Sequence, residues 1–162
     1  MAETVERLYG DTADEHAAEL VPHFIEAELV LGSEKSVRYC TLAGEQALAM
    51  TAPHLALVHF EHALAAIGDG EMDARKARVV LGLGRAREYL AAGIPGHQAA
   101  FDTLNDAFEY YVSEGDIDTV AAIALEPVMA WQLRGTFKLL DSTLTLVDPT
   151  SAVAGRIQTR IA

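Results

Sequence analysis

The stretch from residue 33 to residue 68 constrains the fold most, because it carries two apolar stripes on either side of a proline. Within each stripe, apolar and small residues recur at steps of three and four, the spacing of one helix face. The first stripe consists of Val37, Cys40, Ala43, Gly44, Ala47, Leu48 and Thr51. The second consists of Ala56, Phe60, Ala63, Leu64 and Ile67. Because Pro53 ends one helix and can open the next, the stretch predicts a helical hairpin.

The rest of the chain is divided in the same way by glycine- and proline-containing breakers. The breakers predict hairpins near 33–68, 71–113 and 116–149, and a last helix over 151–162. A lone hairpin cannot bury both of its faces, so we expect the hairpins to stack as one all-α domain over 1–162, with about seven or eight helices. The last helix stops without a capping residue, which predicts that the chain is a piece of a longer protein.

Ahead of this array, residues 2–9 predict a short helix that ends at Gly10. Thr12 and Glu15 have the spacing of a capping box, which predicts that the next helix begins there. Pro22 lies inside that helix and predicts a kink or a broken turn near 18–22.

The composition of the chain argues against several classes of function. The chain has 24 acidic and 12 basic residues, a net charge of −12 that repels phosphate backbones, so we expect no direct binding to nucleic acid. Cys40 is the only cysteine, which excludes an internal disulfide and agrees with a reducing cytoplasm. No apolar run approaches a membrane span and no signal-peptide pattern opens the chain. These features predict a cytoplasmic protein without a membrane partner.

The two central hairpins repeat one another. Ala43-Gly44 corresponds to Leu83-Gly84, and the pair Ala56 and Phe60 corresponds to Ala100 and Leu104. This Leu-Gly step, followed by an alanine and a bulky residue four further on, resembles the tetratricopeptide pattern, and Pro149 stands where its terminal proline would be. Cys40 and Ala47 replace the large aromatic residues of the pattern, and the period exceeds its 34 residues. The resemblance implies an antiparallel, right-handed array of long, degenerate repeats.

Three short sequence segments resemble those of one family of larger proteins. The stretch 14–24 and the segments 36–39 and 43–48 resemble parts of large bacterial signalling ATPases, among them LuxR-type transcriptional regulators of the MalT-like kind and some class III adenylate cyclases. In that family an NTPase module precedes a helical segment with tetratricopeptide repeats. The resemblance implies a sensor or scaffold portion. The chain has no GxxxxGK[ST] phosphate loop, so it cannot supply the ATPase itself.

A non-catalytic interaction module is the function that these features favour, with no catalytic, cofactor-binding or metal-binding residues assigned. Its expected partner is a protein or peptide, another domain of the parent chain, or a second copy paired through the exposed ends of the array. One alternative is a sensor that binds a small-molecule effector. The other is a metal-dependent helical enzyme.

Six residues form the candidate interaction surface: Arg75, Arg78, Arg85, Tyr110, Tyr111 and Trp131. The arginines crowd one helix of an acidic chain and fit an anionic partner, or else a solvated face paired with Glu71, Asp73 and Glu88 on the same helix. The aromatic residues could line a concave groove, hold the small-molecule effector, or fill gaps between repeats.

Two histidines and the cysteine have side chains that can act as metal ligands or nucleophiles. His59 and His62 are i,i+3 neighbours that could reach one metal ion, but they flank the buried stripe of their helix, so we expect both to contact water. Cys40 lies on the apolar stripe of the preceding helix, which predicts a small core residue.

Overall fold

The computed structural model describes residues 1–126 and 133–161, and the regular elements in these two ranges are all helical. They contain nine α-helices and one short 3-10 turn, Gly10–Thr12. The α-helices are α1 (Ala2–Tyr9), α2 (Ala17–Leu31), α3 (Glu34–Ala49), α4 (Pro53–Ile67), α5 (Ala74–Leu90), α6 (Gly93–Glu114), α7 (Ile117–Ala124), α8 (Thr136–Leu146) and α9 (Ala152–Ile161). Each helix packs against the next one along the chain, and α3 also contacts α5. The all-α prediction is confirmed, and the two described ranges contain nine helices instead of the expected seven or eight.

Several helix ends lie where local chemistry predicts them. Pro53 is the first residue of α4, where its missing N–H leaves no hydrogen bond unmade. Gly115 ends α6 in the left-handed conformation, with φ of 73°. Asp116 then caps α7, because its Oδ1 accepts a hydrogen bond from the backbone N–H of Thr119 at 3.1 Å.

Three local features differ from what the sequence predicts. The capping box does not form: Thr12 lies in the 3-10 turn, its hydroxyl donates to the carbonyl of Tyr9, and α2 begins only at Ala17. No broken turn occurs at Pro22, because α2 is continuous through that residue. Residues 93–96 contain two glycines and a proline, which are typical helix breakers, but they form the first turn of α6, where backbone N–H groups have no partner inside the helix in any case.

The centre of the fold is a phenylalanine held between two glycines. Phe60 of α4 is fully buried, and its ring lies between Gly44 of α3 and Gly82 of α5. A Cβ atom at Gly44 would come within 2.7 Å of the ring, and one at Gly82 within 2.2 Å. Only glycine therefore fits at either position, and three helices meet around one ring.

A second close contact of the same kind joins α5 and α6. A Cβ atom at Gly84 would lie 2.7 Å from the Cδ2 atom of Leu104. Gly84 and Leu104 are the sequence counterparts of Gly44 and Phe60, so the same small-against-large contact occurs in both pairs of helices. Gly44, Gly82 and Gly84 are therefore close-packing sites between helices.

Helix α5 lies between two apolar clusters and contributes to both. Its residues Val79 and Leu83 belong to the cluster around Phe60, whereas Val80 and Leu81 belong to the cluster formed with α6 to α9. A helix with two buried sides keeps only a narrow exposed face. None of the helices in the two described ranges combines the length and apolar character that a membrane crossing needs.

Candidate functional site

The exposed face of α5 carries the three arginines of the predicted surface. Arg75, Arg78 and Arg85 are separated by three and seven residues, which places them along one side of the helix. The helix begins after Asp73, whose Oδ1 accepts a hydrogen bond from the backbone N–H of Lys76 at 2.7 Å. The same carboxylate lies 3.8 Å from the guanidinium of Arg75. Arg75 therefore pairs with Asp73, one of the three acidic residues expected as partners.

Arg78 reaches across to α3. Its Nε and Nη2 atoms each donate to one carboxylate oxygen of Glu45 at 2.7 Å, a bidentate pair that ties α5 to α3. Glu45 raises the pKa of the Arg78 guanidinium, so this side chain is always charged. Both side chains remain substantially exposed, so the pair contributes at most about 1 kcal/mol to stability.

A groove runs between α3 and α5 where these arginines emerge. It has a volume of about 490 Å³, with Arg38 on one side and Arg75 and Arg78 on the other. Its remaining lining residues are Asp14, Glu34, Val37, Thr41, Leu42 and Ala74. Arg38 donates to Asp14 at 2.7 Å and is about half exposed. We call this feature the α3/α5 groove; it combines three guanidinium groups with a partly apolar floor.

Arg85 does not open onto that groove. Its Nε atom donates to Glu126 at 2.7 Å, just beyond the end of α7, and both side chains are partly buried. Together they line a smaller cavity of about 270 Å³ at the other end of α5. Arg75 and Arg78 therefore line the α3/α5 groove, whereas Arg85 lines the smaller cavity.

The tyrosines lie at the end of α6, near the start of α5. Tyr110 and Tyr111 are half-buried and meet edge to face, with ring centroids 5.5 Å apart. Burial raises the pKa of the Tyr111 hydroxyl, which the positive charges of Arg78 and Arg85 partly offset. Trp131, the third predicted aromatic residue, lies outside the described residues.

Glu88 and His97 form a partly buried pair that sequence reasoning missed. The Nδ1 atom of His97 lies 2.8 Å from Oε1 of Glu88, and the two side chains are 20% and 14% exposed. Glu88 was expected to pair with an arginine of its own helix, but it turns instead to the start of α6. Its second oxygen, Oε2, is buried and has no hydrogen-bond partner among residues 1–126 and 133–161.

The histidine prediction is partly wrong, because His59 does not lie in contact with water. It is 8% exposed, and its Nδ1 atom has no hydrogen-bond partner within the described ranges, whereas His62 is exposed. Burial, together with the nearby His62, lowers the pKa of His59. Helix α4 packs against both α3 and α5, so its buried side is wider than a single stripe.

Cys40 is buried in the core, as predicted, and burial raises the pKa of its thiol to about 11. A thiol with so high a pKa is almost entirely protonated at neutral pH. In the part of the chain that the structure describes, no group of three or more His, Cys, Asp or Glu side chains is placed to hold a metal ion.

The acidic partners of the arginines could not be found from spacing within a helix. Asp14, Glu45 and Glu126 lie 24, 33 and 41 residues from the arginines they bind. No periodic signal links such distant positions; only the packing of successive helices brings them together.

The sequence was compared with protein-family models, with curated proteins and with solved structures, and none of the three comparisons gave a match.

Proposed function

We propose that this chain is a non-catalytic protein-interaction module, built as a right-handed array of tetratricopeptide-like helical hairpins. The observation that carries the proposal is the repeated contact between a glycine of the first helix and a bulky residue of the second, Gly44 with Phe60 and Gly84 with Leu104. In such an array the first helices of successive hairpins lie side by side. The direct contact between α3 and α5 supports this arrangement.

The α3/α5 groove is the surface that we assign to the partner. Stacked hairpins bind partners along the side formed by one set of helices, and this groove lies between two first helices. The ion pairs of Arg38 and Arg78 are exposed and therefore inexpensive to exchange. A guanidinium can release a carboxylate of its own chain and bind one on a partner protein with the same bidentate geometry. The partner is accordingly a protein or peptide segment with exposed carboxylates.

The sequence resemblance suggests where such a module would operate. We place it in a cytoplasmic bacterial signalling ATPase or LuxR-type regulator, where it would hold a partner protein or another domain of the same chain. Reading the gene on both sides of these 162 codons tests this placement. An NTPase module encoded upstream in the same frame would support it, and flanking stop and start codons would refute it.

Photo-crosslinking in the parent protein tests the groove itself. A benzophenone amino acid replaces Ala74, an exposed residue that lines the groove, and in a control protein it replaces Ala122, which is exposed on α7. We expect a discrete crosslinked partner from position 74 that disappears in the R75E/R78E background and is not obtained from position 122. Crosslinking that is equal at the two positions, or unaffected by charge reversal, would refute the assignment.

A further inference from the structure

The cavity at the other end of α5 is a separate, well-defined site. It lies among the end of α5, the first half of α6 and Glu126, which follows α7, and it has a volume of about 270 Å³. Its lining residues are Arg85, Glu88, Tyr89, His97, Leu104 and Glu126. Cavities for drug-sized ligands start at about 300 Å³, so this one suits a smaller molecule.

The charges in this cavity do not balance. Arg85 and Glu126 form an ion pair at 2.7 Å and neutralise one another. Among the described residues, the carboxylate of Glu88 has no arginine or lysine partner of this kind, and its hydrogen bond is to the His97 ring at 2.8 Å. When that ring is neutral, the cavity retains one negative charge in a partly buried position. Such a charge is costly to bury without a cation.

Hydrogen-bond acceptors are also in excess. The Oε2 atom of Glu88 is buried, and no donor reaches it from the part of the chain that the structure describes. A neutral His97 that donates through Nδ1 to Glu88 keeps its Nε2 atom as a second acceptor. Buried acceptors without donors are rare in folded proteins and usually mark a missing water or ligand. A matching ligand would bring a positive charge and several N–H donors.

The remaining walls are apolar or aromatic. Leu104 is buried at the base of the cavity, and Tyr89 is 68% exposed at its edge. An alkyl chain can pack on the leucine, and an ammonium group gains from contact with an aromatic face. A primary ammonium group carries three N–H donors and one positive charge, which is the complement that Glu88 and His97 lack.

We propose that this cavity binds the ammonium group of a small aliphatic primary amine, with Glu88 as its counter-ion. The site is distinct from the α3/α5 groove and does not depend on the function proposed for it. Glu88 attracts the ammonium, His97 orients the carboxylate through its hydrogen bond, and Leu104 with Tyr89 selects a short alkyl chain. Glu88 also repels anions of the same size.

Titration of the 162-residue chain with n-butylammonium chloride, followed by ¹H–¹⁵N NMR, tests the proposal. We expect saturable shifts at residues 85, 88, 97 and 104, with a dissociation constant in the millimolar range. Butan-1-ol and sodium butyrate have the same chain length without the positive charge, and neither should produce saturable shifts. A response to n-butylammonium that does not saturate, or that butanol reproduces, would overturn the proposal.

Two variants distinguish a specific role of Glu88 in binding from a general effect of the protein's negative charge. E88Q keeps the size of the side chain and should raise the dissociation constant about ten- to a hundredfold, the loss expected for one charged hydrogen bond. E114Q removes an exposed charge from the end of α6 and should leave it unchanged. If E88Q does not fold, Y89A decides instead, because Tyr89 is exposed; its dissociation constant should rise severalfold. Unchanged binding by a folded E88Q, or by Y89A in its place, would contradict the site.

The same ammonium chemistry occurs in free amines and in lysine side chains, and a second probe distinguishes these sources. The peptide acetyl-Gly-Lys-Gly-amide carries a butylammonium side chain and is titrated in the same way. Binding of the peptide at least as tight as that of n-butylammonium would assign the site to a partner's lysine. Binding of n-butylammonium alone would assign it to a free amine.

Discussion

Replacing Gly82 by alanine should destabilise the protein, although alanine is the better helix former. Taken alone, the change would stabilise α5 by about 1 kcal/mol, the difference in helix propensity. The added Cβ atom, however, would lie 2.2, 2.4 and 2.8 Å from three atoms of the Phe60 ring. The ring has little room to retreat toward α3, because a Cβ atom built at Gly44 would likewise lie only 2.7 to 2.9 Å from three of its atoms. We therefore expect the upper end of the usual cost of overpacking, about 3 kcal/mol.

The gain in helix propensity and the cost of overpacking together leave a net loss of about 2 kcal/mol in the free energy of unfolding. For a chain of this size that loss lowers the thermal midpoint by roughly 4–8 °C. The measurement is chemical denaturation followed by circular dichroism, with thermal melting as a second readout. Because the change is confined to packing, the denaturant slope should be the same as in the wild type.

Gly155 provides the matched control. It lies in the helix α9, and no atom lies within 4 Å of a Cβ built there, so G155A should be neutral or stabilising by up to about 1 kcal/mol. The double variant F60L/G82A should recover part of the loss relative to the sum of the single variants, because leucine has fewer atoms near position 82. A G82A protein at least as stable as the wild type would refute the three-helix junction around Phe60.

Three further predictions concern the polar groups. The pKa of His59 is lowered in the folded state, so its contribution to stability is present above its unfolded pKa of about 6.5 and is lost as the pH falls below it. Between pH 7.5 and 6.0 the free energy of unfolding should decrease less for H59L than for the wild type. The decrease for H62Q should lie between the two, because His62 is the smaller of the two causes of the lowered pKa. Equal decreases for H59L and wild type would contradict this. A double-mutant cycle on Glu45 and Arg78 should give a coupling below about 1 kcal/mol that weakens in 1 M salt, and a larger, salt-independent value would show a buried pair. D116A removes the cap of α7 and should cost about 1 kcal/mol in the same assay, whereas an unchanged free energy of unfolding would show that the cap is not formed.

Periodicity and breakers predicted the helices well where the local signal and the packing agree. Pro53 lies between two clear stripes, and the glycine at 115 stands directly before a capping aspartate. At Thr12 the same kind of local signal failed, because the hydroxyl bonds back to Tyr9 within the 3-10 turn. A capping motif competes with neighbouring turns, and the sequence does not show which of the two will form.

The candidate site was less predictable than the fold. Spacing placed Arg75 and Arg78 on one face of a helix, but spacing within a helix cannot show that Glu45 of another helix binds one of them. His59 was misplaced because a second neighbouring helix widens the buried side of α4. The pairing of Glu88 with His97 depends on how α5 and α6 meet across a short connection. All of these features arise from contacts between helices, which a pattern along one helix does not contain.

The contacts of the Phe60 ring test the repeated hairpin most directly, and NMR can observe them without any variant. Nuclear Overhauser effects are measured from the ring protons of Phe60 and from the methyl protons of Leu104 to the Hα protons of the glycines. We predict strong effects from Phe60 to both Gly44 and Gly82, and from Leu104 to Gly84, since these atoms are in direct contact. If Phe60 shows no effect to Gly82, or Leu104 none to Gly84, then α3, α4, α5 and α6 do not form two equivalent hairpins around a shared junction.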